Sequence, residues 1–361
     1  MFNRIWAGAS ALFAAAVVAT LFWGPRGVDM PEGLADQPFE ARWSAALAAL
    51  EEQGAGVVAG YAREGASVVA ATGDVVPEGV AAGDVQVDLN SITKTVTAVL
   101  VLDAVEAGLF ALDTPLADLL PDVPEDKAGI TVHQLLTHSA GFPEAIGDDD
   151  EVIGRSAYLA RAFEAGLEGP PGQYLYSNVG YGVLAAIVET AGGESYADRL
   201  AAMLTEAGLP SMGYDGVLDT GRALSAPGGD TIRAASWGGG PPGWHLIGNG
   251  GLIATPAGFL AFEEAFRGGR IVGDDLVQRA LSAHVAEDAE ESSFYGYGLV
   301  VEEVPELGRV FWHDGGNGAF SAEWAYLEAH NTTLFVAAPG EEAFAAMELL
   351  KSFLFPPAAP V

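Results

Sequence analysis

The sequence predicts a mixed α/β (α+β) protein in which a helical domain interrupts a β-sheet domain. Two short apolar runs near the start of the chain, at 56–62 and 67–72, are separated by a turn and predict a β-hairpin. The other strand patterns come after about residue 290, at 294–303, 308–313, 320–329 and 332–338. Helical patterns occupy the long region between. Strands at both ends of the chain and helices in its middle predict a sheet domain whose two halves are far apart in the sequence.

This organisation divides the chain into four parts. Residues 1–25 form an N-terminal membrane anchor or signal peptide, and residues 26–37 form a linker. Residues 38–85 and 286–361 together form the discontinuous sheet domain, with a helix predicted near each end, at 37–53 and 341–354. Residues 86–285 form the mainly helical domain.

The helical domain begins with the clearest helix of the chain, at 91–108, which has apolar residues at helical spacing and ends at a glycine. Further helical patterns cover 152–167, 179–191 and 194–206. The segment 207–250 is rich in turn residues. Thr255-Pro256 then begins another helix, with the threonine as N-cap and the proline at the first helical position.

The composition excludes several classes of function. The net charge is −33, and a protein that binds nucleic acid needs a basic face, so we expect no nucleic-acid partner. The absence of cysteine excludes disulfides, thiol nucleophiles and thiolate zinc sites. His133 and His138 are five residues apart and do not share a helix face. We therefore expect neither a metal nor a cofactor.

The N-terminal segment is long enough to cross a membrane. An apolar run at 5–23 follows Arg4 and is bracketed by Trp6 and Trp23, which are typical residues of a membrane interface. We favour an uncleaved anchor over a cleaved signal peptide, because no clear cleavage site follows the run. In both cases the remainder of the chain is expected outside the cytoplasm, on the periplasmic or extracellular side.

The pair Ser91 and Lys94 is the first candidate for chemistry. A serine nucleophile needs a nearby base, and residues three apart on a helix lie on one face. Lysine can lose its proton when it is desolvated, whereas arginine cannot. The alternative interpretation is a serine that caps the helix beside a solvated lysine.

Two other stretches place polar groups where a helix or strand meets a turn. Tyr176 and Asn178 lie at the start of a predicted helix, and His313 is followed by an aspartate, Gly315 and Gly316 at the end of a predicted strand. Lysine beside a tyrosine or serine hydroxyl lowers its pKa by stabilising the anion. Backbone N–H groups at a helix start and at a glycine-rich strand edge can bind an oxyanion.

These stretches, in this order, resemble the serine β-lactamase and penicillin-binding protein superfamily. The branch is that of the class C β-lactamases and their related esterases, D-aminopeptidases and DD-carboxypeptidases. The resemblance covers about residues 40–355 and includes segments away from the candidate site, at 112–115, 130–142 and 250–255. It implies a central antiparallel sheet flanked by helices, with an inserted all-α domain.

The resemblance also implies roles for the candidate residues. Ser91 would be the acylated nucleophile, Lys94 its proton partner, and Tyr176 the base that later protonates the leaving group. Asn178 would bind the substrate amide or the lysine. The backbone N–H groups of Ser91 and Gly316 would form the oxyanion hole.

One departure from the family pattern bears on the substrate. Where many relatives have lysine-threonine-glycine and bind a carboxylate, this chain has His313, Asp314 and Gly315, with less positive charge. We therefore expect a small-molecule ester, or a small amide or peptide, as substrate, and a β-lactam or a D-Ala-D-Ala peptide as the alternative. A catalytically silent, membrane-tethered binding or regulatory protein is the alternative from another functional class. The sequence does not indicate an oligomeric state.

Overall fold

The computed structural model describes residues 30–305 and 307–356. Its eleven α-helices in this part of the chain are α1 (Phe39–Glu52), α2 (Thr93–Glu106), α3 (Leu116–Leu119), α4 (Val132–Leu136), α5 (Arg155–Glu164), α6 (Asn178–Gly192), α7 (Tyr196–Glu206), α8 (Ile232–Ser236), α9 (Pro256–Arg267), α10 (Asp274–Ala280) and α11 (Glu342–Leu354). Short 3₁₀ turns occur at Leu34–Asp36, Ala82–Asp84, Asn90–Ile92 and Glu328–His330.

The strands form one large sheet and one small one. They are β1 (Val58–Arg63), β2 (Ala66–Ala71), β3 (Val87–Asp88), β4 (Ile253–Ala254), β5 (Val285–Ala286), β6 (Ser293–Tyr295), β7 (Val300–Val304), β8 (Gly308–Gly316), β9 (Phe320–Leu327) and β10 (Thr332–Pro339). Eight of them make an antiparallel sheet in the order β2-β1-β10-β9-β8-β7-β6-β5, while β3 pairs with β4. The predicted fold class, a central antiparallel sheet flanked by helices, is confirmed.

The chain order explains how the sheet is assembled. The N-terminal hairpin of β1 and β2 joins the C-terminal strands because β1 pairs with β10, with Val58 opposite Ala337. Helices α2–α10 come between β2 and β5 in chain order. The predicted domain boundaries at 85/86 and 285/286 stay predictions.

Each face of the sheet has its own apolar core. Helices α1 and α11 pack on one face, where Trp43 and Leu350 belong to the same apolar cluster as Val336 of β10. On the other face, Phe259 of α9 lies against Phe335, with ring centroids 5.2 Å apart. This second core continues into the helical part of the chain. The alternation of side chains along β10 thus directs successive residues into different cores.

Helix α2 is buried on all sides at its N-terminal end. Every residue from 93 to 102 is buried, including Lys94, although the sequence predicts a single apolar side. A helix that is enclosed all round lies inside a core. The lysine therefore enters the interior because the whole helix does.

Three local predictions are corrected. The strand predicted at 294–303 is divided into β6 and β7 by a turn at 296–299. This turn contacts α2: Gly298 has φ 72°, and a Cβ atom there would lie 2.5 Å from the carbonyl oxygen of Lys94. The turn-rich segment 207–250 contains the short helix α8, and α10 follows where no helix was predicted.

The predicted anchor at 5–23 lies outside the described residues and stays a prediction, as does export. Within 30–305 and 307–356, no helix is both long enough and apolar enough to cross a membrane.

The contact between Gly298 and α2 yields a test of the fold. We expect Gly298→Ala to lower the free energy of unfolding by about 2–4 kcal/mol, since a left-handed alanine costs about 1–2 kcal/mol and the clash adds about as much. Gly79→Ala is the matched control, because Gly79 has φ 79° but no atom within 4 Å of its Cβ position. Gly79→Ala should lower the free energy of unfolding only by the cost of a left-handed alanine, about 1–2 kcal/mol. Equal losses in urea unfolding would show that the contact with α2 is unimportant.

Candidate active site

The nucleophile candidate and its lysine are in contact. Ser91 lies in the 3₁₀ turn Asn90–Ile92, which leads directly into α2, and the Lys94 Nζ atom donates to Ser91 Oγ at 3.0 Å. The same ammonium group donates to the carbonyl oxygen of Asn249 at 2.8 Å. The interpretation of Lys94 as a solvated side chain is wrong, because its exposed fraction is 0%.

Burial changes the charge of Lys94. Removal from water lowers the pKa of Lys94 to about 7, against the opposing effect of the carboxylates of Asp149, Asp314 and Glu144. Within the described residues, no carboxylate lies within ion-pair distance of this ammonium group. A large fraction of the lysine is therefore neutral near pH 7 and able to accept a proton.

Tyr176 lies on the other side of this pair. Its ring is 4.8 Å from Lys94 Nζ, and its hydroxyl interacts by a hydrogen bond with Ser91. Burial raises the pKa of the Tyr176 phenol, and the hydrogen bond to Ser91 only partly offsets this rise. The net pKa of this tyrosine in the unliganded protein is thus raised, because desolvation is the largest effect. The expected lowering by the lysine charge stays a prediction.

The turn at His138 holds the tyrosine in place. His138 has φ 53°, and its Nδ1 atom accepts a hydrogen bond from the backbone N–H of Ser177 at 3.0 Å. The imidazole packs on the Tyr176 ring with centroids 4.4 Å apart. His138 thus stabilises the turn that precedes α6.

Asn178 is the first residue of α6 and is partly exposed beside Tyr176. The N-cap of α6 is Ser177, whose Oγ atom accepts from the Gly180 N–H at 3.0 Å, so Asn178 is not the capping residue. The backbone N–H of Asn178 donates to the Glu144 carbonyl. Among the residues that the structure describes, its side chain has no hydrogen-bond partner. The amide is therefore free to bind a substrate.

Strand β8 brings its glycines against the start of α2. A Cβ atom on Gly315 would lie 2.4 Å from the Ser91 backbone nitrogen and 2.7 Å from the Asn90 Cβ atom. Only a glycine permits this close approach of two backbones. The last residue of the strand, Gly316, is exposed next to this contact. The two N–H groups assigned to the oxyanion hole thus lie on adjoining segments.

His313 is buried rather than presented to a ligand. Its exposed fraction is 3%, and its ring nitrogens lie 3.0 Å from the Tyr295 hydroxyl and 2.6 Å from the Asp314 carbonyl oxygen. Burial and the Lys94 charge lower the pKa of His313 to about 3. The imidazole is neutral at pH 7 and both its nitrogens are engaged, so the predicted contact of His313 with substrate stays a prediction that this geometry does not favour.

Asp314 faces away from Ser91. It lies opposite Glu323 on β9, and cross-strand partners share a face of the sheet. Glu323 accepts from Lys351 of α11 at 3.0 Å, so this face is the one that α1 and α11 cover. Its carboxylate therefore lies on the face of the sheet opposite to that of His313.

One group of the site, the Asn249 carbonyl, escaped sequence reasoning. Asn249 contributes only a backbone carbonyl, and any residue type supplies one. The sequence separation of 155 residues between Asn249 and Lys94 leaves no local pattern. The glycines around Asn249 were the one available signal. No cluster of metal-ligating side chains occurs in 30–305 or 307–356.

The comparison with known families agrees with this arrangement. The family model described as Beta-lactamase matches residues 39–349, most of the chain. The chain belongs to this β-lactamase family. Its recognition as a serine β-lactamase and penicillin-binding protein homologue is confirmed.

Relatives of this β-lactamase family member carry several names. A penicillin-binding protein of Bacillus subtilis (strain 168) is 25% identical over 285 residues, which are 71% of this chain and 61% of that protein. Esterase EstB of Burkholderia gladioli is 30% identical over 138 residues, which are 33% of this chain and 35% of the esterase. The chain thus matches less than two thirds of the length of either relative.

Solved structures show the same fold. A penicillin-binding protein from Bacillus halodurans has a TM-score of 0.71 and 23% identity, covering 85% of this chain and 99% of that one. A D-stereospecific amidohydrolase from Streptomyces sp. has a TM-score of 0.67 and 20% identity, covering 88% and 98%. Both structures are under 25% identical to this chain, and the likeness is one of fold.

Proposed function

We propose that this protein is an exported serine hydrolase that forms an acyl-enzyme on Ser91 and acts on a neutral ester or a small amide. The observation that supports this is the buried Lys94 ammonium group, held between the Ser91 hydroxyl and the Asn249 carbonyl with a pKa of about 7. A lysine of this kind can take a proton at neutral pH without a histidine.

The reaction begins with proton transfer from Ser91. Its Oγ atom attacks the substrate carbonyl carbon as the proton passes to the neutral amine of Lys94. The oxyanion of the tetrahedral intermediate is bound by the backbone N–H groups of Ser91 and Gly316. Lys94 is the better initial acceptor, because the raised pKa of Tyr176 keeps its phenol protonated.

Collapse of the intermediate breaks the bond to the leaving group. The Tyr176 phenol donates its proton to the departing oxygen or nitrogen and recovers one from the Lys94 ammonium, so the proton taken from Ser91 leaves with the first product. Water then attacks the acyl-enzyme, passes a proton to the same relay, and releases the acid with Ser91 restored. Asn178 is placed to bind the substrate amide or carbonyl beside this relay.

The nucleophile is tested by replacing Ser91. Ser91→Ala should remove labelling by a fluorophosphonate probe and lower turnover of an aryl ester by about 10⁴-fold or more, since no other hydroxyl occupies its position. The matched control is Ser195→Ala, which removes a serine at another helix start, where Ser195 Oγ accepts from the Asp198 N–H. It should cost about 1 kcal/mol of stability and leave labelling intact. Labelled, active Ser91→Ala protein would refute the mechanism.

The proton acceptor is tested by Lys94→Arg. Arginine keeps the positive charge but does not lose its proton, so we expect kcat/KM to fall by about 10²–10⁴-fold, as far as with Lys94→Ala. Lys127→Arg is the control, because Lys127 is also buried but is paired with Asp126 at 2.8 Å. It should leave kcat/KM unchanged.

The pH dependence of the wild type checks the same assignment. Only neutral Lys94 accepts the proton, and its lowered pKa is about 7, so kcat/KM should rise with pH and level off above about 7. A profile that is flat between pH 5 and 9, or an active Lys94→Arg variant, would assign proton transfer to another group.

The substrate class is tested by comparing a neutral ester with a substrate that carries a carboxylate. With His313 neutral and buried, and Glu144 and Asp149 contributing negative charge near Lys94, the site disfavours a carboxylate. The kcat/KM for a neutral short-chain aryl ester should exceed that for a chromogenic cephalosporin by at least about 10²-fold, which corresponds to about 2.7 kcal/mol. Each is measured against Ser91→Ala as background. Faster cephalosporin opening would make the protein a β-lactamase.

A further inference from the structure

A buried carboxylate lies behind the proposed oxyanion hole. Asp88 is the last residue of β3, three residues before Ser91, and its exposed fraction is 1%. Within the described residues, Asp88 has no ion-pair partner, so hydrogen bonds alone compensate its charge. A buried charge of this kind is costly to retain. The proposed proton transfers do not use it.

One oxygen of Asp88 holds the backbone that precedes the nucleophile. Its Oδ1 atom accepts from the Asn90 N–H at 2.8 Å. Asn90 has φ 47°, a left-handed conformation that is uncommon for a residue other than glycine. The hydrogen bond from its N–H thus stabilises the strained turn from which the Ser91 N–H projects.

The other oxygen reaches the turn that follows Gly316. Its Oδ2 atom accepts from Asn317 Nδ2 at 3.3 Å, and this Nδ2 atom also donates to Ser236 Oγ at 2.9 Å. The Oδ1 atom of Asn317 accepts from the backbone N–H groups of Ala319 and Phe320, at 3.0 and 2.9 Å. The Asn317 amide therefore cannot rotate by 180° without losing both of these bonds.

Asp88 thus bridges the two segments that supply the oxyanion donors. The Ser91 N–H belongs to the 3₁₀ turn Asn90–Ile92, and the Gly316 N–H immediately precedes the turn between β8 and β9. These two segments pack together through Gly315. Burial raises the pKa of Asp88 to about 6, and hydrogen bonds from Ser236, Asn90 and Asn317 oppose the rise. The carboxylate remains ionised at neutral pH and accepts from all these donors at once.

We infer that Asp88 and Asn317 are positioning residues, whose side-chain hydrogen bond sets the spacing of the Ser91 and Gly316 N–H groups for the oxyanion. This inference rests on the proposed acyl-enzyme mechanism. The pair touches neither the substrate nor the reacting atoms, so it acts through the geometry of the donors. An oxyanion donor that is misplaced loses much of its effect on the transition state while ground-state binding changes little.

A swap of the two side chains tests the inference. In Asp88→Asn, the new amide meets the Asn317 amide, donor against donor, and in Asn317→Asp two carboxylates meet. In the double variant Asp88→Asn/Asn317→Asp, the amide at 88 donates to the carboxylate at 317, and Ser236 donates to the same carboxylate. The side-chain oxygens at both positions still accept hydrogen bonds from the same backbone N–H groups as in the wild type. The charge also moves from a buried position to an exposed one.

The measured quantities are the single-turnover acylation rate and the KM for p-nitrophenyl acetate, with the melting temperature recorded in parallel. Each single variant should acylate about 10–100-fold more slowly with KM changed less than threefold, and the double variant should return to within threefold of the wild-type rate. Asp103→Asn is the control. Asp103 lies near the C-terminal end of α2, away from Ser91, and its carboxylate pairs with Arg199 of α7. Its replacement should lower stability without slowing acylation.

The outcomes separate this inference from the mechanism on which it rests. If folded single variants acylate at the wild-type rate, or if the double variant is as slow as the singles, Asp88 and Asn317 have only a structural role and the inference is wrong. If Ser91→Ala still forms the acyl-enzyme, the proposed mechanism itself fails. Slow single variants with recovery in the double variant, beside inactive Ser91→Ala protein, support both.

Discussion

The burial of the Lys94 ammonium group without a carboxylate partner is the constraint on which the rest of the proposed active site depends. Its two hydrogen-bond partners, the Ser91 hydroxyl and the Asn249 carbonyl, are both uncharged. The lysine is kept from water because α2 is enclosed at its N-terminal end, and the turn at Gly298 lies directly on the backbone of that helix. Burial disfavours the charged form of this lysine, so it loses its proton at a lower pH than an exposed lysine does. The fold of α2 and the turn between β6 and β7 therefore produce the lowered pKa that the proposed base requires.

Lys351 is also buried, and a comparison of it with Lys94 shows what decides the pKa of a lysine in this protein. Lys351 of α11 lies 3.0 Å from Glu323 and 2.9 Å from Glu348, and these carboxylates raise its pKa in spite of burial. Lys94 is buried at least as deeply, yet its pKa falls because no carboxylate is in contact with it. Strand β8 lies between the two environments. Side chains alternate along this strand, so Asp314 lies on the face of Lys351 and neutral His313 lies on the other face. The sheet therefore separates a structural ion pair from the proposed base.

The parts of this arrangement that could be predicted from the sequence are those that rest on local spacing. The hairpin of β1 and β2, the helix that begins near Ser91, and the contact of Ser91 with Lys94 all depend on residues a few positions apart. The Asn249 carbonyl and the bond between Asp88 and Asn317 join positions 155 and 229 residues apart. The spacing of apolar residues along a helix or strand does not predict contacts between positions so far apart in the sequence. The burial of His313 is of the same kind, since it depends on Tyr295 from another strand. Local spacing therefore suffices to propose reactive side chains, but not to find the groups that tune and position them.

The pKa of Lys94 combines two effects with different ranges. Desolvation acts at the ammonium group itself and depends only on how closely α2 is packed. The opposing carboxylates include Glu144 and Asp149, which are exposed, and their influence crosses solvent and is screened by salt. In a chain with a net charge of −33, a surplus of surface carboxylates tends to keep a lysine protonated. Close packing around α2 therefore has to outweigh the charge of the whole surface. A small loosening of the core near Gly298 would admit water, return Lys94 toward its ordinary pKa, and weaken the base without altering any residue that touches the substrate.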